Sequence, residues 1–229
     1  IPGARRPKSK LAAATPLTYL DLQISGKKGL KRVRQMKILR SFSSLGKRLE
    51  TLAAAQAIAE LIMLMVGNDE PTKNLLNVVL IHLNRLNDLH KKEFDSLEAL
   101  AISVQSCIHL LALGGYCLPI KNCCTSGSKL IPPIGDWSWR CSFIPNEGFA
   151  IGTIPHASTE LNPSELALLQ RLLLEKLPFH SNGKLLGPKD VWLKLLKIVE
   201  TWIETHLEKR ITSLQMIREV LISYDLNTK

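Results

Sequence analysis

Residues 16–40 read PLTYLDLQISGKKGLKRVRQMKILR. Leu20, Leu22 and Ile24 alternate with Asp21 and Gln23, a two-residue period that belongs to a strand with one face turned inward. Ser25-Gly26-Lys27-Lys28-Gly29 contains no large apolar residue and two glycines, so it breaks that strand in a turn. Leu30 to Arg40 resumes as a second strand carrying Lys31, Arg32, Arg34 and Lys37. Two strands joined by a short turn form a hairpin. An isolated hairpin is marginal in water, so further strands of the same module are expected outside this sequence. The start at Ile1 rather than methionine fits a fragment.

The same region holds the excess charge. Residues 1–40 contain eleven of the 30 Lys and Arg residues and one acid, Asp21. The remaining nineteen basic and nineteen acidic residues cancel over residues 41–229, so the net charge of +10 belongs to one end. A neutral body with a cationic end is arranged to meet a polyanion, either nucleic acid or an anionic membrane surface. Arg5, Arg6, Lys8 and Lys10 form a cluster among the breakers Pro2, Gly3 and Pro7. Lys27, Lys28, Lys31, Arg32 and Arg34 lie on or beside the hairpin. With almost no acids between them, these residues favour nucleic acid, where each neutralised phosphate releases counterions. The plainer alternative is a solvated, solubilising face. Tyr19 is the only aromatic residue among the first forty, so base stacking is poorly supplied. Binding should therefore follow the phosphate backbone rather than the base sequence.

From Phe42 the period changes. Leu45, Leu49, Leu52, Ile58, Leu61, Ile62 and Met65 make a helical stripe ended by Gly67-Asn68. Leu75, Val79, Leu83 and Leu86 make another. Phe94, Leu97, Ala101, Val104, Ile108 and Leu111 recur at steps of three and four, and Gly114-Gly115 ends that helix. Residues 99–120 contain no Asp, Glu, Lys or Arg. Gln105, His109, Gly114, Gly115 and Pro119, together with the helical period, make this a core helix rather than a membrane span. Residues 116–160 read as an irregular loop that holds most of the cysteines. Asn162-Pro163-Ser164-Glu165 has the N-cap, first-turn proline and capping-box acid that open a helix. Trp192, Leu195, Val199, Trp202 and His206 form the seam of the next helix, and Leu214, Ile217 and Leu221 that of a short last one. The 45% apolar content is ample for a core across 229 residues, enough for one large domain or two small ones.

Several chemistries find no support. No signal-peptide pattern follows the basic start. Five cysteines, two of them adjacent at Cys123 and Cys124, do not make a disulfide framework and point to a reducing cytoplasm. Their spacing does not match paired C-x2-C zinc ligands; His156 reads as an exposed loop residue and Cys107 as core. Gly46-Lys47 lacks the upstream glycine and following Ser or Thr of a phosphate loop. No G-x-S-x-G or H-E-x-x-H occurs. Glu200, Glu204 and Glu208 at four-residue spacing read as a solvated helix face, and His206 as structural. An enzyme is not expected. A helical interaction adaptor whose basic arm touches RNA or an anionic membrane is the alternative to DNA binding.

Together these residues resemble a known family. Gly3-Ala4-Arg5-Arg6-Pro7-Lys8-Ser9, the strand Pro16-Leu17-Thr18-Tyr19-Leu20-Asp21-Leu22-Gln23 and Gly29-Leu30-Lys31 are similar to the bacterial recombination-repair family RecO. So are Leu111-Ala112-Leu113-Gly114-Gly115-Tyr116, Leu161-Asn162-Pro163-Ser164-Glu165, and Trp202-Ile203-Glu204-Thr205-His206-Leu207 through Ser213. The resemblance implies an α+β chain: a partial N-terminal OB-fold β module over residues 1–41, then an all-helical C-terminal domain over residues 42–229. It implies a non-enzymatic mediator of DNA repair and homologous recombination in the RecFOR pathway, cytoplasmic and nucleoid-associated. Such a protein binds single- and double-stranded DNA, anneals complementary strands and helps load RecA onto SSB-coated DNA. The implied partners are RecR and the SSB C-terminal tail, with no membrane and no cofactor. Many members also hold zinc with two C-x2-C pairs. Here Cys123 falls on the first ligand position, Ser126 on the second, and Ile151 and Ile154 on the later pair, so the zinc site reads as degenerate. Cys124 and Cys141 are out of register.

Overall fold

The computed structural model describes residues 15–26, 32–66, 73–91 and 95–227. The chain is α+β: among the described residues it has two small sheets and six α-helices. It divides into two units, Ile1–Arg48 and Leu49–Lys229.

In the first unit, β1 (Thr18–Ser25) pairs antiparallel with β2 (Arg32–Ser41). The ladder runs from Thr18 opposite Ser41 to Ser25 opposite Arg32 and contains two irregularities. Gln23 faces Gln35 while Ile24 faces Val33, which leaves Arg34 as an extra residue of β2; Leu39 is extra in the same way, between Ile38 and Arg40. These bulges bend and twist the strand. They also interrupt the alternation that the sequence alone would assign: Leu20 is half-buried, but Ile24 is 55% exposed. Phe42 N–H donates to the Leu17 carbonyl at 3.0 Å, closing the open end of the hairpin before the short 3-10 turn Ser43–Lys47.

The second unit is built around α3 (Ser96–Leu113), packed against α1 (Leu49–Met65), α2 (Lys73–Leu89) and α5 (Lys189–Leu207). Asp95 caps α3 by accepting the Leu97 N–H at 3.0 Å, and Gly114 N–H closes its far end on Leu110 O at 2.9 Å. By length and composition this helix could span a bilayer, yet 67% of it is buried within the protein. It is the core helix that its mixed polar residues predict. Its buried Gln105 is satisfied: it donates to the Leu172 and Leu174 carbonyls, and Arg85 on α2 donates to Gln105 Oε1 at 2.7 Å.

On α1 the seam keeps Ile58 and Leu61 of the stripe that the sequence indicates, but the rest of its buried face is mainly alanine. Leu49 is 48% exposed, whereas Ala53, Ala54, Ala57, Ile58 and Leu61 are fully buried. The helix packs against both α3 and α6 (Thr212–Asn227), and alanine lets two helices approach closely where leucine would hold them apart. The last helix is also longer than the spacing of its apolar residues indicates.

The segment read as an irregular loop contains strands. Cys141–Ile144 (β3), Gly148–Ile151 (β4) and Thr159–Leu161 (β5) form an antiparallel sheet in the order β4-β3-β5, so the second unit is helical with one small sheet inserted. Strands of three or four residues are too short to show a period. Phe143 sits opposite Phe149, ring centroids 5.1 Å apart, and Trp202 of α5 covers Phe143. Asn162 and Glu165 form the expected capping box on α4 (Pro163–Arg171). The glutamate stripe of α5 is corrected at its first member. Glu200 is largely buried against Arg218, because α6 packs on that face; Glu204 accepts from Arg210 at 2.6 Å.

Candidate nucleic-acid interface

The basic strand β2 places Arg32, Arg34, Lys37 and Arg40 on one ten-residue element, all exposed. Arg34 sits in the bulge, where the ladder does not fix its side chain to one face by simple alternation. Lys37 stands opposite Asp21 across the ladder. The Arg40 guanidinium lies 5.3 Å from the Phe42 ring centroid, a cation–π contact that orients it without neutralising its charge. Of the nine residues that the sequence nominates, Arg32 and Arg34 are thus brought together. Arg5, Arg6, Lys8, Lys10, Lys27, Lys28 and Lys31 lie outside the described residues. Lys37 and Arg40 join the row. The signal for them is present in the sequence, since they continue the same basic strand.

In the second unit, the segment after α3 folds into a tight loop around Cys123. Its N–H donates to Ser128 O at 2.7 Å, its carbonyl accepts from Gly127 N–H at 2.8 Å, and Cys124 N–H donates to Phe149 O at 2.8 Å. The Ile151 N–H points at Cys123 Sγ at 3.4 Å, and Thr125 Oγ1 lies 3.1 Å from it. Burial raises the Cys123 thiol pKa, but hydrogen bonds from Ser126, Thr125 and the Ile151 N–H outweigh it and bring it down to about 6. Burial pushes Cys141 the other way, up to about 12. Ser142 Oγ donates to Gly152 O at 2.7 Å and accepts the Ile154 N–H at 3.0 Å, pinning the turn after β4.

Residues 46–215 match the model of the family described as recombination protein O, C terminal. The chain is 57% identical over 224 residues to the DNA repair protein RecO of Prochlorococcus marinus (strain MIT 9303), covering 97% of this chain and 84% of the relative. The chain belongs to the RecO family. The RecO of Synechococcus sp. (strain WH7803) is 55% identical, over 99% of this chain and 84% of its own length. A more distant RecO, from Trichodesmium erythraeum (strain IMS101), is 28% identical over 97% and 83%. The resemblance read from the landmarks is thereby established, and with it a protein of DNA repair and recombination.

The zinc positions that the resemblance implies fall on two turns of the second unit. The loop holding Cys123 and Ser126 does meet the turn holding Ile151 and Ile154, because Ile151 donates directly to Cys123 Sγ. The donor set does not fit a metal: one thiol, one hydroxyl and two aliphatic side chains cannot complete four ligands. Among the described residues no cluster of three His, Cys, Asp or Glu could hold a metal ion. The two turns are joined by hydrogen bonds instead. Ser142→Ala should therefore destabilise the fold by about 1–3 kcal/mol, because two hydrogen bonds of a buried hydroxyl are lost and the part-buried Ile154 N–H and Gly152 carbonyl are left without that partner. Urea denaturation checks this, and a loss well under that range would mean that the turn is held elsewhere.

Proposed function

We propose that this chain is a non-enzymatic recombination mediator that binds single- and double-stranded DNA by the phosphate backbone. In this reading it anneals complementary strands and helps load RecA onto SSB-coated DNA, with RecR and the SSB C-terminal tail as partners, in the cytoplasm at the nucleoid. One observation carries the DNA-binding part: four exposed cations on β2, in a chain whose entire net charge of +10 lies within its first forty residues. Arg32 and Arg40 are separated by about 26 Å of extended chain at about 3.3 Å per residue, long enough for several phosphates. Neutralising phosphates on two strands at once lowers their repulsion and lets them pair. Arg5, Arg6, Lys8, Lys10, Lys27, Lys28 and Lys31 would extend the same electrostatic track.

Replacing Arg32, Arg34 and Lys37 with alanine should weaken binding to single strands and duplex alike. It should also flatten the salt dependence on single strands, by about 0.7 log unit per log unit of salt for each phosphate that is no longer neutralised. Fluorescence anisotropy at several salt concentrations measures both. Unchanged affinity with an unchanged slope would remove the hairpin from the interface. The substituted side chains are exposed, so the fold should be preserved.

A further inference from the structure

We propose that the second unit carries its own contact for single-stranded nucleic acid, in which a base stacks on Trp137 at the mouth of a cation-rimmed groove. This rests on the DNA-binding reading above and adds a second site of different character. The groove has a volume of about 880 Å³ and lies between the loop at 134–137, α4 and the segment leading into α5. Leu168, Leu186 and Val191 line it with apolar surface, and Arg171 and Lys184 stand among its walls. The one acid there, Glu165, is already engaged: it accepts from Asn162 N–H at 2.9 Å and from Lys194 at 2.5 Å. Among the residues that line the groove, the open charge is therefore positive.

Trp137 is held for such a role. Asp136 Oδ1 accepts from Ser138 N–H at 3.0 Å, Ser138 Oγ at 2.6 Å and Trp139 N–H at 3.2 Å. Arg140 donates to the Trp137 and Trp139 carbonyls at 2.6 and 2.8 Å. The backbone is clamped from both sides, yet the indole is 71% exposed. A large aromatic side chain on a clamped backbone has only two torsions of its own, so it loses little conformational freedom when it stacks on a flat partner. Bases of a single strand offer their faces; those of a duplex are already stacked on each other. A stacking site therefore prefers single strands, whereas the β2 row, reading phosphates, does not. An acidic peptide with an apolar residue would meet the same cations, but the family's work on DNA and the open ring face favour the nucleic acid.

The test uses the full chain with a short oligothymidylate and a duplex of equal length. Trp137→Ala should weaken single-strand binding about tenfold, the loss of one stacked base, and leave duplex binding unchanged. Trp137→Phe should recover most of that loss. Arg171→Glu with Lys184→Glu should weaken the single strand and flatten its salt slope. Equal effects of Trp137→Ala on both DNAs, or no effect on either, would overturn the proposal. So would a groove that binds an acidic peptide ending in phenylalanine in a Trp137-dependent way while ignoring oligothymidylate. If only the Arg32/Arg34/Lys37 variant loses DNA, the hairpin reading stands and this one falls. If the unaltered chain binds no DNA, both fall.

Discussion

Between pH 6.5 and about pH 3 the helical unit should lose on the order of 4 kcal/mol of stability through one side chain, His82. Burial, then the nearby Arg85 cation and His109, bring its pKa down to about 3. The hydrogen bonds show why a proton is unwelcome. His109 Nε2 lies 2.8 Å from the Leu172 carbonyl, which can only accept, so Nε2 carries the hydrogen and Nδ1 is bare. That bare nitrogen is 3.1 Å from His82 Nε2, which must then be the donor. His82 Nδ1 is left as the acceptor facing Arg85 at 3.4 Å. One assignment satisfies all three contacts, with both rings neutral. A proton on His82 turns its Nδ1 towards a guanidinium as a second donor.

Because the folded pKa lies below the unfolded one, this stability is complete above pH 6.5. It is lost as the unfolded chain takes up a proton that the folded chain refuses. His109, also lowered by burial, acts in the same direction; Glu175, which faces Arg85, is the compensating acid. Urea midpoints at pH 7, 5.5 and 4.5 would measure the effect against His82→Leu. If the two chains lose stability in parallel over that interval, His82 is not the cause.

The largest single-residue loss is expected at Trp192. It is fully buried in the first turn of α5, and its Nε1 donates to the Leu186 carbonyl at 2.9 Å. That bond fastens the loop ahead of the helix, which is otherwise tied by Leu186 N–H to Pro178 O and His180 N–H to Lys184 O. At Gly187, φ is 87°, and a Cβ there would come within 3.0 Å of Leu168. The loop is therefore pressed close against α4. Trp192→Ala removes the buried ring and the hydrogen bond to the part-buried Leu186 carbonyl, at a cost of about 3–5 kcal/mol. Trp192→Phe keeps much of the volume and should cost markedly less. Equal stability of Trp192→Ala and the unaltered chain in urea would show that the loop collapses into the space.

Much of this was written locally in the chain. The α4 capping box needs only Asn162 and Glu165, three residues apart, and the α3 and α5 seams are carried by regular spacing. What escaped depends on partners distant in sequence. The buried face of α1 is largely alanine because two helices press on it, and Glu200 is buried because α6 supplies Arg218. His82 and His109 lie on separate helices, and no spacing rule joins them. Residues 141–161 hold strands too short to declare themselves. At the interface, the charge of β2 was legible but its bulges were not, since register is a property of two strands together.

The extra residue at Arg34 bears on how this hairpin tolerates changes of length. Removing a paired residue from β2 would slide every later side chain past a new neighbour and turn it over. Removing Arg34 would leave Gln35 opposite Gln23 and Val33 opposite Ile24. One of the exposed cations of β2 thus rides on a position that the ladder does not count. Charge at that point can be inserted, deleted or exchanged as lineages diverge, while the pairing on either side stays the same.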